Sequence, residues 1–597
     1  MINVFDFETY SVNDKLVAYC VCSIINGEKF VIYGENVVDK FLNFLWNLRI
    51  NNLVIYAHNL TFDGSLILQS SECEKWEIDS LLENGNIYML KLANNWSVIE
   101  FRCSYRLMPF SLDYIAKCFK IGSKMNFPHE FMNDKNLYFI GELPEAYRYL
   151  GIGVINIRSL CIEYCFNDVE LTRKFIILIY NKISLISKVC MRVTYSISGL
   201  SYWLFSNNFN LSKVNVKISN EEDEILRNAY YGGRCEVFGN VDLGEEVYHF
   251  DFSGMYAQVM MESYGYGRCL LSVEIVSINR PGFYWVKVKS HNFKIPILCH
   301  KSKVNDRLMF TNGEFEGLYW WEELILFENN GGEILEIKYG MIYENNGVIL
   351  KNFVEKFTEM RNEDYAGNVI GKIIINSLFG RFGMSSKTIE TKIINKNDYK
   401  DYKNLEILKE THINNIIILS IYKKSASKWV NSNVGLAAAI TAKARIKLWN
   451  AFNAVENCGH RILYTDTDSL FVASKKNLDN VIIGEVFFDI SKIDTKIKNS
   501  IFISPKCYGI EYGGLSYVKI KGIRRNSISW WDLKKAQSNN RKLKIKSVRF
   551  NKSNYQIKIE NYIKVIDLSI SNKRIFNKNK KYSRAFNFKD GEYSIDP

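Results

Sequence analysis

Two periodicities divide this chain. Up to about residue 190, short β-branched runs such as INVFDF (2–7) and NLVIYAH (52–58) alternate with 3.6-periodic stretches, and residues 157–185 carry the apolar stripe of an amphipathic helix. That alternation predicts an α/β domain over 1–190. From about 225 to 500, strands mix with two long helical patterns. One is KNFVEKFTEM (351–360) followed by GNVIGKIIINSLF (367–379); the other is VGLAAAITAKARIKLWNAF (434–452). The segments 262–350 and 385–425 are strand-rich and read as insertions into a larger framework. The sequence has no internal repeat, no Pro/Ser linker and no low-complexity tract apart from a Lys/Asn-rich end.

Composition narrows this picture. With 597 residues, 47% of them hydrophobic, the chain has material for three or more domains of roughly 100–200 residues each. The net charge of +13 is unevenly placed: from Lys534 to Pro597 there are 17 Lys and Arg against 5 Asp and Glu. A Lys-rich end is often just a solvated tail. Here the basic residues interleave with Leu543, Ile545, Val548, Phe550, Tyr555 and Ile557, which predicts a folded element gripping a polyanion. The 13 cysteines are scattered; Cys20 with Cys22 and Cys161 with Cys165 are the only close pairs, and neither has the CxxC spacing of a zinc site. They read as free thiols of a reducing compartment. No apolar run approaches the roughly 18–20 residues of a membrane span, and the N-terminus has neither a signal core nor a transit-peptide character. The expectation is a monomer that works where it is made, without a membrane.

Candidate chemistry lies in two sets of acids. Asp6 and Glu8 alternate at the end of an apolar strand, so both face one side. Two carboxylates facing one way repel, and burial tolerates them only around a cation. Tyr56-Ala57-His58-Asn59-Leu60-Thr61-Phe62-Asp63 is a strand running into a loop that ends in an acid. Tyr164 and Asp168, at i and i+4, share a helix face. Asp6, Glu8, Asp63 and Asp168 could together hold two Mg²⁺ about 3.5–4 Å apart, with Tyr164 orienting the attacking water. Each piece alone is weak, since a DxE strand is more often an exposed edge. In this order the three resemble the motifs of the DnaQ-like 3′–5′ exonucleases.

The second set begins at Asp251, the acid of the apolar strand in His249-Phe250-Asp251-Phe252-Ser253-Gly254-Met255-Tyr256. Asp466 and Asp468 alternate in a predicted hairpin, Tyr464-Thr465-Asp466-Thr467-Asp468-Ser469. An acid on one strand beside such a hairpin suits two Mg²⁺ holding a triphosphate and a primer hydroxyl, because Mg²⁺ takes few carboxylates plus phosphate oxygens. Between them, Lys372, Asn376, Phe379 and Gly383 fall on one helix face, with Lys372 for the triphosphate and Phe379 near the base. Arg361 is a second phosphate candidate. Ile373–Ile375 predict a largely buried helix, where an unpaired lysine would be costly.

The order of exonuclease, DxxSxxY-like, KxxxNSxxG and YxDTDS motifs resembles family B DNA polymerases over about residues 2–525. Tyr230-Tyr231-Gly232-Gly233 (YxGG), Ser111-Leu112-Asp113-Tyr114-Ile115 (SLxxh) and Lys506-Cys507-Tyr508 (KxY) are similar to motifs of the protein-primed branch found in small phages and linear plasmids. The resemblance implies a multidomain α/β and α+β fold: an RNase H-like exonuclease domain (1–190) and a right-hand polymerase. Its palm would span 191–261 and 426–525, its fingers 351–384 and its thumb 526–597, with terminal-protein insertions at 262–350 and 385–425. It further implies template contacts from Tyr230, Gly232 and Gly233, single-strand contacts from Ser111 and Leu112, and primer contacts from Lys506 and Tyr508. Thr9, Tyr56, His58, Asn59 and Phe62 would bind a frayed primer end, and Tyr256 would exclude ribonucleotides. Asp251 and Asp468 would ligate both metals, Mg²⁺ or Mn²⁺, with Asp466 in support. Partners would be template and primer DNA, dNTPs and a separate terminal protein, none being fused upstream of Asp6. A mitochondrial linear element or a phage-infected cytoplasm would be its setting. Two departures stand out: S-L-Y-P is replaced by Gly254-Met255-Tyr256-Ala257, and the usual fingers tyrosine by Phe379. The competing readings are a nucleic-acid-primed family B polymerase, an inactive DNA-binding remnant and a nuclease alone.

Overall fold

The computed structural model describes residues 1–597 except 14, 84, 152, 189, 210–217, 276, 303–305, 386–388, 403, 423–428, 431, 476–489, 498, 513–514, 524–526, 539–541, 552–557, 567–572, 578, 580, 590–591 and 595–597. The N-terminal strand Asn3–Val12 pairs antiparallel with Lys15–Ile25 and parallel with Leu53–Ala57. Leu53–Ala57 then pairs parallel with Val98–Cys103, and Asn86–Ala93 and Glu77–Glu83 extend the sheet. Phe5, Phe7, Ile55 and Phe101 pack on the side of helix Val37–Asn47, whereas Val4, Cys20 and Cys22 face the 28-residue helix Ile157–Ser184. This division is what strand alternation dictates when both faces are covered.

A second sheet carries the strands Cys235–Val237, Arg461–Asp466, Ser469–Ser474, Glu246–Phe252 and Ile490–Ile497 in that order. Helix Val434–Asn457 lies against it, its alanines and Leu448, Phe452 and Val455 buried. The fingers-like pattern forms two helices, Lys351–Glu363 and Tyr365–Phe382, with Asp364 between them capping the second by accepting from Gly367 N at 2.6 Å. Residues 262–350 build most of a six-stranded sheet of their own, and 385–425 contribute a three-stranded one. The smaller sheet is clamped to the first domain through Asn415 Nδ2, which donates to Glu74 at 2.9 Å, and Asn414 Nδ2, which donates to the Gln69 carbonyl at 2.9 Å.

The stretch 526–597 does not form the single element expected. The hairpin Leu543–Asn551 and Lys558–Ile566 joins the edge of the N-terminal sheet at Lys15↔Lys558. Asn587–Lys589 instead pairs parallel with Asn312–Trp320 in the 262–350 sheet. Between them, Arg574 is buried against Glu236 (3.4 Å) and the Ser583 hydroxyl (2.8 Å) beneath the second sheet. Of the apolar positions expected to fold the tail, Ile545 is buried with Trp530 and Leu533; Tyr555 and Ile557 lie outside the described residues.

Candidate functional site

The first cluster converges. Asp6, Glu8, Asp63, Tyr164 and Asp168 line one cleft of about 700 Å³ together with Thr9, His58, Asn59, Phe62, Ser111 and Leu112. Asp6 and Glu8 face one side, as their spacing predicts, and it is the side covered by the long helix. The register slips between Glu8 and Thr9, Tyr19 being the extra residue on the partner strand, and Thr9 also lines the cleft. Asp63 sits in the first turn of helix Leu60–Gln69, where Asp63 Oδ1 accepts from Phe7 N at 3.2 Å. Asn59 precedes that helix at φ 70°, a left-handed conformation that asparagine tolerates, and its side chain makes no capping bond. Ser111 caps helix Leu112–Phe119, its hydroxyl accepting from Tyr114 N at 3.3 Å.

Burial and mutual repulsion dominate the electrostatics. Asp6 is held well above the carboxylate range by burial, then by Asp63, Glu8 and Asp168. Glu8 is raised chiefly by burial, and Asp63 is pushed up to about 7 by burial. Asp168 is also raised by burial, against the opposing pull of Lys124, whose ammonium lies 2.8 Å from Asp168 Oδ2. The other oxygen, Asp168 Oδ1, is buried without a hydrogen-bond partner. Crowded acids and an orphaned buried oxygen fit a divalent cation.

Several cleft residues were not foreseen: Asn86, Tyr105, Arg106, Lys124 and His129. His129 Nε2 lies 3.2 Å from the Tyr164 hydroxyl. Only the Lys124–Asp168 pairing would have identified Lys124, and sequence spacing does not reveal it. Two expected contacts are engaged in the protein itself. Tyr56 is 5% exposed in the core between the sheet and the long helix, hydrogen-bonded with Arg102, and does not line the cleft. His58 reaches the cleft, but its ring is engaged: Nε2 bonds the Phe110 carbonyl and Nδ1 the Ser104 hydroxyl, both at 3.0 Å. Burial lowers its pKa to about 4, so it is a neutral strut for the turn that presents Ser111.

The second cluster also converges. Glu246–Phe252 pairs with Ser469–Ser474, placing Asp251 opposite Ser469, and Phe252 N donates to the Asp468 carbonyl at 2.8 Å. Asp251 is pushed up to about 6 by burial and then by Asp468; its Oδ1 is buried and unpartnered. The alternation expected for the hairpin is not kept: the strand ends at Asp466, and Thr467 adopts φ 73°. The tight turn separates the two acids. Asp468, whose charge raises Asp251, is itself raised by burial and then by Asp466, whereas Asp466 is gripped by Lys506 (2.6 Å) and Lys519 (3.1 Å). Burial alone would raise Asp466, but these lysines hold it below the usual carboxylate range.

Gly233 abuts that turn. A Cβ there would lie 2.5 Å from Thr467 Cγ2, and Thr467 N donates to the Arg234 carbonyl at 2.8 Å. At Gly232 a Cβ would meet open space. The preceding carbonyls of this linker are held by Arg445, which donates to Tyr231 O (2.7 Å) and Gly232 O (3.3 Å) while making a buried fork with Glu323. Tyr230 packs on Gly383, where a Cβ would lie 2.4 Å from its hydroxyl.

From the helix pair, Lys372 faces both acids, its charge opposing the rise of the Asp251 and Asp468 pKa values. The helix is buried on its Ile374 and Ile375 side only; Lys372 and Asn376 are exposed, so the burial expected for the lysine does not hold. Phe379 stacks on Tyr256 with centroids 4.4 Å apart and planes at 11°. Arg361 Nη1 lies over Gly254, 3.6 Å from where a Cβ would stand, and Arg361 Nε is buried without a partner. Lys506 borders the acids, but Tyr508 is 7% exposed in a cluster with Tyr464, Phe471 and Phe502 and supports the hairpin from behind.

The family model described as DNA polymerase type B, organellar and viral, matches residues 46–462. A probable DNA polymerase of Agaricus bitorquis is 25% identical over 569 residues, covering 82% of this chain and 68% of that protein. One of Podospora anserina is 26% identical over 573 residues, covering 83% and 46%. The chain thus spans about two thirds of the first relative's length and about half of the second's. Among solved structures, phi29 DNA polymerase complexed with primer-template DNA superposes with a TM-score of 0.70 at 16% identity, covering 95% of this chain and all of that one. The fold is shared.

Proposed function

We propose that this chain, which belongs to the type B DNA polymerases of organelles and viruses, extends DNA primers from dNTPs at Asp251 and Asp468 and removes mispaired 3′ ends at Asp6, Glu8, Asp63 and Asp168. One observation carries the reading: Asp251 and Asp468, 217 positions apart, meet where one strand ends beside the turn that leads into its neighbour, with Asp251 Oδ1 buried and unpartnered. Two Mg²⁺, or Mn²⁺, would be held by Asp251 and Asp468 with Asp466 in support, and a second pair by the four N-terminal acids. Bound there, such cations neutralise phosphate charge and ease deprotonation of the attacking oxygen.

The chain's own groups supply the rest. Lys372 and Arg361 bind the triphosphate and Asn376 lines its path. The Tyr256–Phe379 stack forms a rigid wall against a ribose 2′-hydroxyl, and the phenyl ring of Phe379 supplies that stack without a hydroxyl of its own. Lys506 leaves Asp466 correctly charged while reaching towards the primer. Tyr230, Gly232 and Gly233 border the template. In the N-terminal cleft, Phe62 stacks on a frayed base while Thr9, Asn59, Ser111 and Leu112 hold the strand. Tyr164 orients the attacking water, steadied by His129.

On this reading 1–190 is the exonuclease domain, 191–261 and 426–525 the palm, 351–384 the fingers and 262–350 and 385–425 the insertions that serve priming and strand displacement. The hairpin within 526–597 is the thumb, gripping duplex phosphates. Synthesis starts from a hydroxyl of a separate terminal protein, and a monomer acts in a mitochondrion or a phage-infected cell. Among the described residues no helix is long and apolar enough to cross a membrane. Incubating the enzyme with the terminal protein of its own element and a labelled dNTP should give a covalently labelled terminal protein. Extension of DNA primers without that label would establish nucleic-acid priming instead; no extension at all would leave an inactive remnant.

A further inference from the structure

The two cysteine pairs that sequence spacing sets aside meet behind the N-terminal acids. Cys20 and Cys22 lie two apart on Lys15–Ile25, and Cys161 and Cys165 lie four apart on Ile157–Ser184, so each pair shares a face. All four are 0% exposed. The sulfurs of Cys20, Cys22 and Cys165 lie within 4.8 Å of one another, and the Cys20 thiol is also hydrogen-bonded with Cys161. Cys161 in turn lies 3.7 Å from the Tyr19 hydroxyl. None is in a disulfide.

We propose that Cys20, Cys22, Cys161 and Cys165 bind one zinc ion, which ties the long helix to the sheet immediately behind the carboxylate cluster. A tetrahedral thiolate site has Zn–S distances of about 2.3 Å, which puts neighbouring sulfurs about 3.8 Å apart; Cys20, Cys22 and Cys165, within 4.8 Å of one another, need to close by about an ångström at most, and Cys161, outside that trio but bonded to Cys20, swings in as the fourth ligand. Binding exchanges the thiol protons for the cation, so no bare thiolate is left in the core. Hard and soft donors are sorted by strand. Cys22 pairs across from Asp6 and Cys20 across from Glu8. Carboxylate oxygens suit Mg²⁺ and thiolates suit zinc, so the two kinds of ion do not compete for one set. Cys165 lies between Tyr164 and Asp168 in sequence, and its sulfur is also within 4.8 Å of the Asp6 and Glu8 oxygens. A zinc ion there fixes the spacing between the helix-borne and strand-borne halves of the acid cluster. The proposal is independent of what the acids catalyse.

The test is metal content of the full chain purified without chelator, together with the absorption spectrum of its Co²⁺-substituted form. We expect about one zinc per chain and an intense near-ultraviolet thiolate-to-cobalt band. Both should be lost in Cys20→Ser/Cys22→Ser and kept in Asp6→Ala/Asp168→Ala. The wild-type spectrum decides the matter even if the cysteine variant fails to fold. Absence of zinc together with absence of the cobalt–thiolate band overturns the proposal. So does zinc that disappears with the aspartates but survives the cysteine changes, or a mass-spectrometric disulfide joining Cys20 or Cys22 to Cys161 or Cys165.

Discussion

The two carboxylate clusters meet the same electrostatic problem with different resources. In the N-terminal cluster the acids come from one domain and sit in the wall of a single cleft, and Lys124 is the one ammonium that pairs with any of them among the described residues. In the second cluster the acids are half-buried and come from distant parts of the chain. Lys506 and Lys519 neutralise Asp466, and Lys372 stands off from the Asp251–Asp468 pair. The first cluster thus stores repulsion that a cation must relieve. The second keeps one acid ionised under all ordinary conditions and leaves two to respond. A cleft carried by one sheet and its helices tolerates stored repulsion, whereas a site assembled from several segments keeps more of its charge balanced.

The comparison breaks most sharply by deletion. Asp468→Ala should lower primer extension by about a thousandfold or more while leaving 3′–5′ degradation intact, and Asp6→Ala/Glu8→Ala should do the reverse. Both activities measured on each protein check this; joint loss in either variant would mean that the clusters are not separate sites. Next in size is the steric test at the linker. Gly233→Ala drives a Cβ into Thr467 and should cost synthesis about ten- to a hundredfold, whereas Gly232→Ala, facing open space, should cost less than about threefold. Steady-state extension by both variants, with degradation as the internal control, reads the difference.

Acidification should separate the clusters by a smaller factor. Cation binding needs ionised acids; Asp63 is pushed up to about 7 and burial holds Asp6 and Glu8 well above the carboxylate range, against about 6 at Asp251. Because Asp63 holds its proton to about pH 7 and Asp251 only to about 6, degradation should fall several-fold more than extension between pH 8 and 6 at limiting Mg²⁺. The linked stability has a definite sign. Asp63 binds its proton more tightly folded than unfolded, so its contribution without metal is full below about pH 4 and is lost as pH rises through about 7. Added Mg²⁺ should accordingly raise the melting temperature more at pH 8 than at pH 6, and an equal shift at both would contradict the stored-repulsion account. The smallest effect is at the stack: Phe379→Tyr should change extension by less than about twofold, because stacking on Tyr256 needs a ring and not a hydroxyl.

Local pattern made the acids legible. Alternation put Asp6 beside Glu8, helical spacing put Tyr164 above Asp168, and the long helices at 157–184, 351–382 and 434–457 follow their apolar stripes. What local pattern cannot carry is long-range pairing. Lys124 on Asp168, Lys519 on Asp466 and Arg445 on the Gly232 carbonyl join residues that no periodicity relates. The same limit applies to the cysteines, whose spacing within each pair concealed their meeting across a strand and a helix. Tyr56 and Tyr508 show the opposite failure: a motif names the residue, but only packing tells that its ring faces the core.

The pairing of Lys15 with Lys558 has a consequence for biosynthesis. The N-terminal sheet presents part of its edge to strands that are translated more than 500 residues later. Throughout synthesis that edge is an open template with unsatisfied amides and carbonyls, the kind of surface that invites pairing with another nascent chain. Closing this part of the sheet therefore waits for the C-terminal hairpin to return to a partner made at the outset, a contact of very long sequence separation.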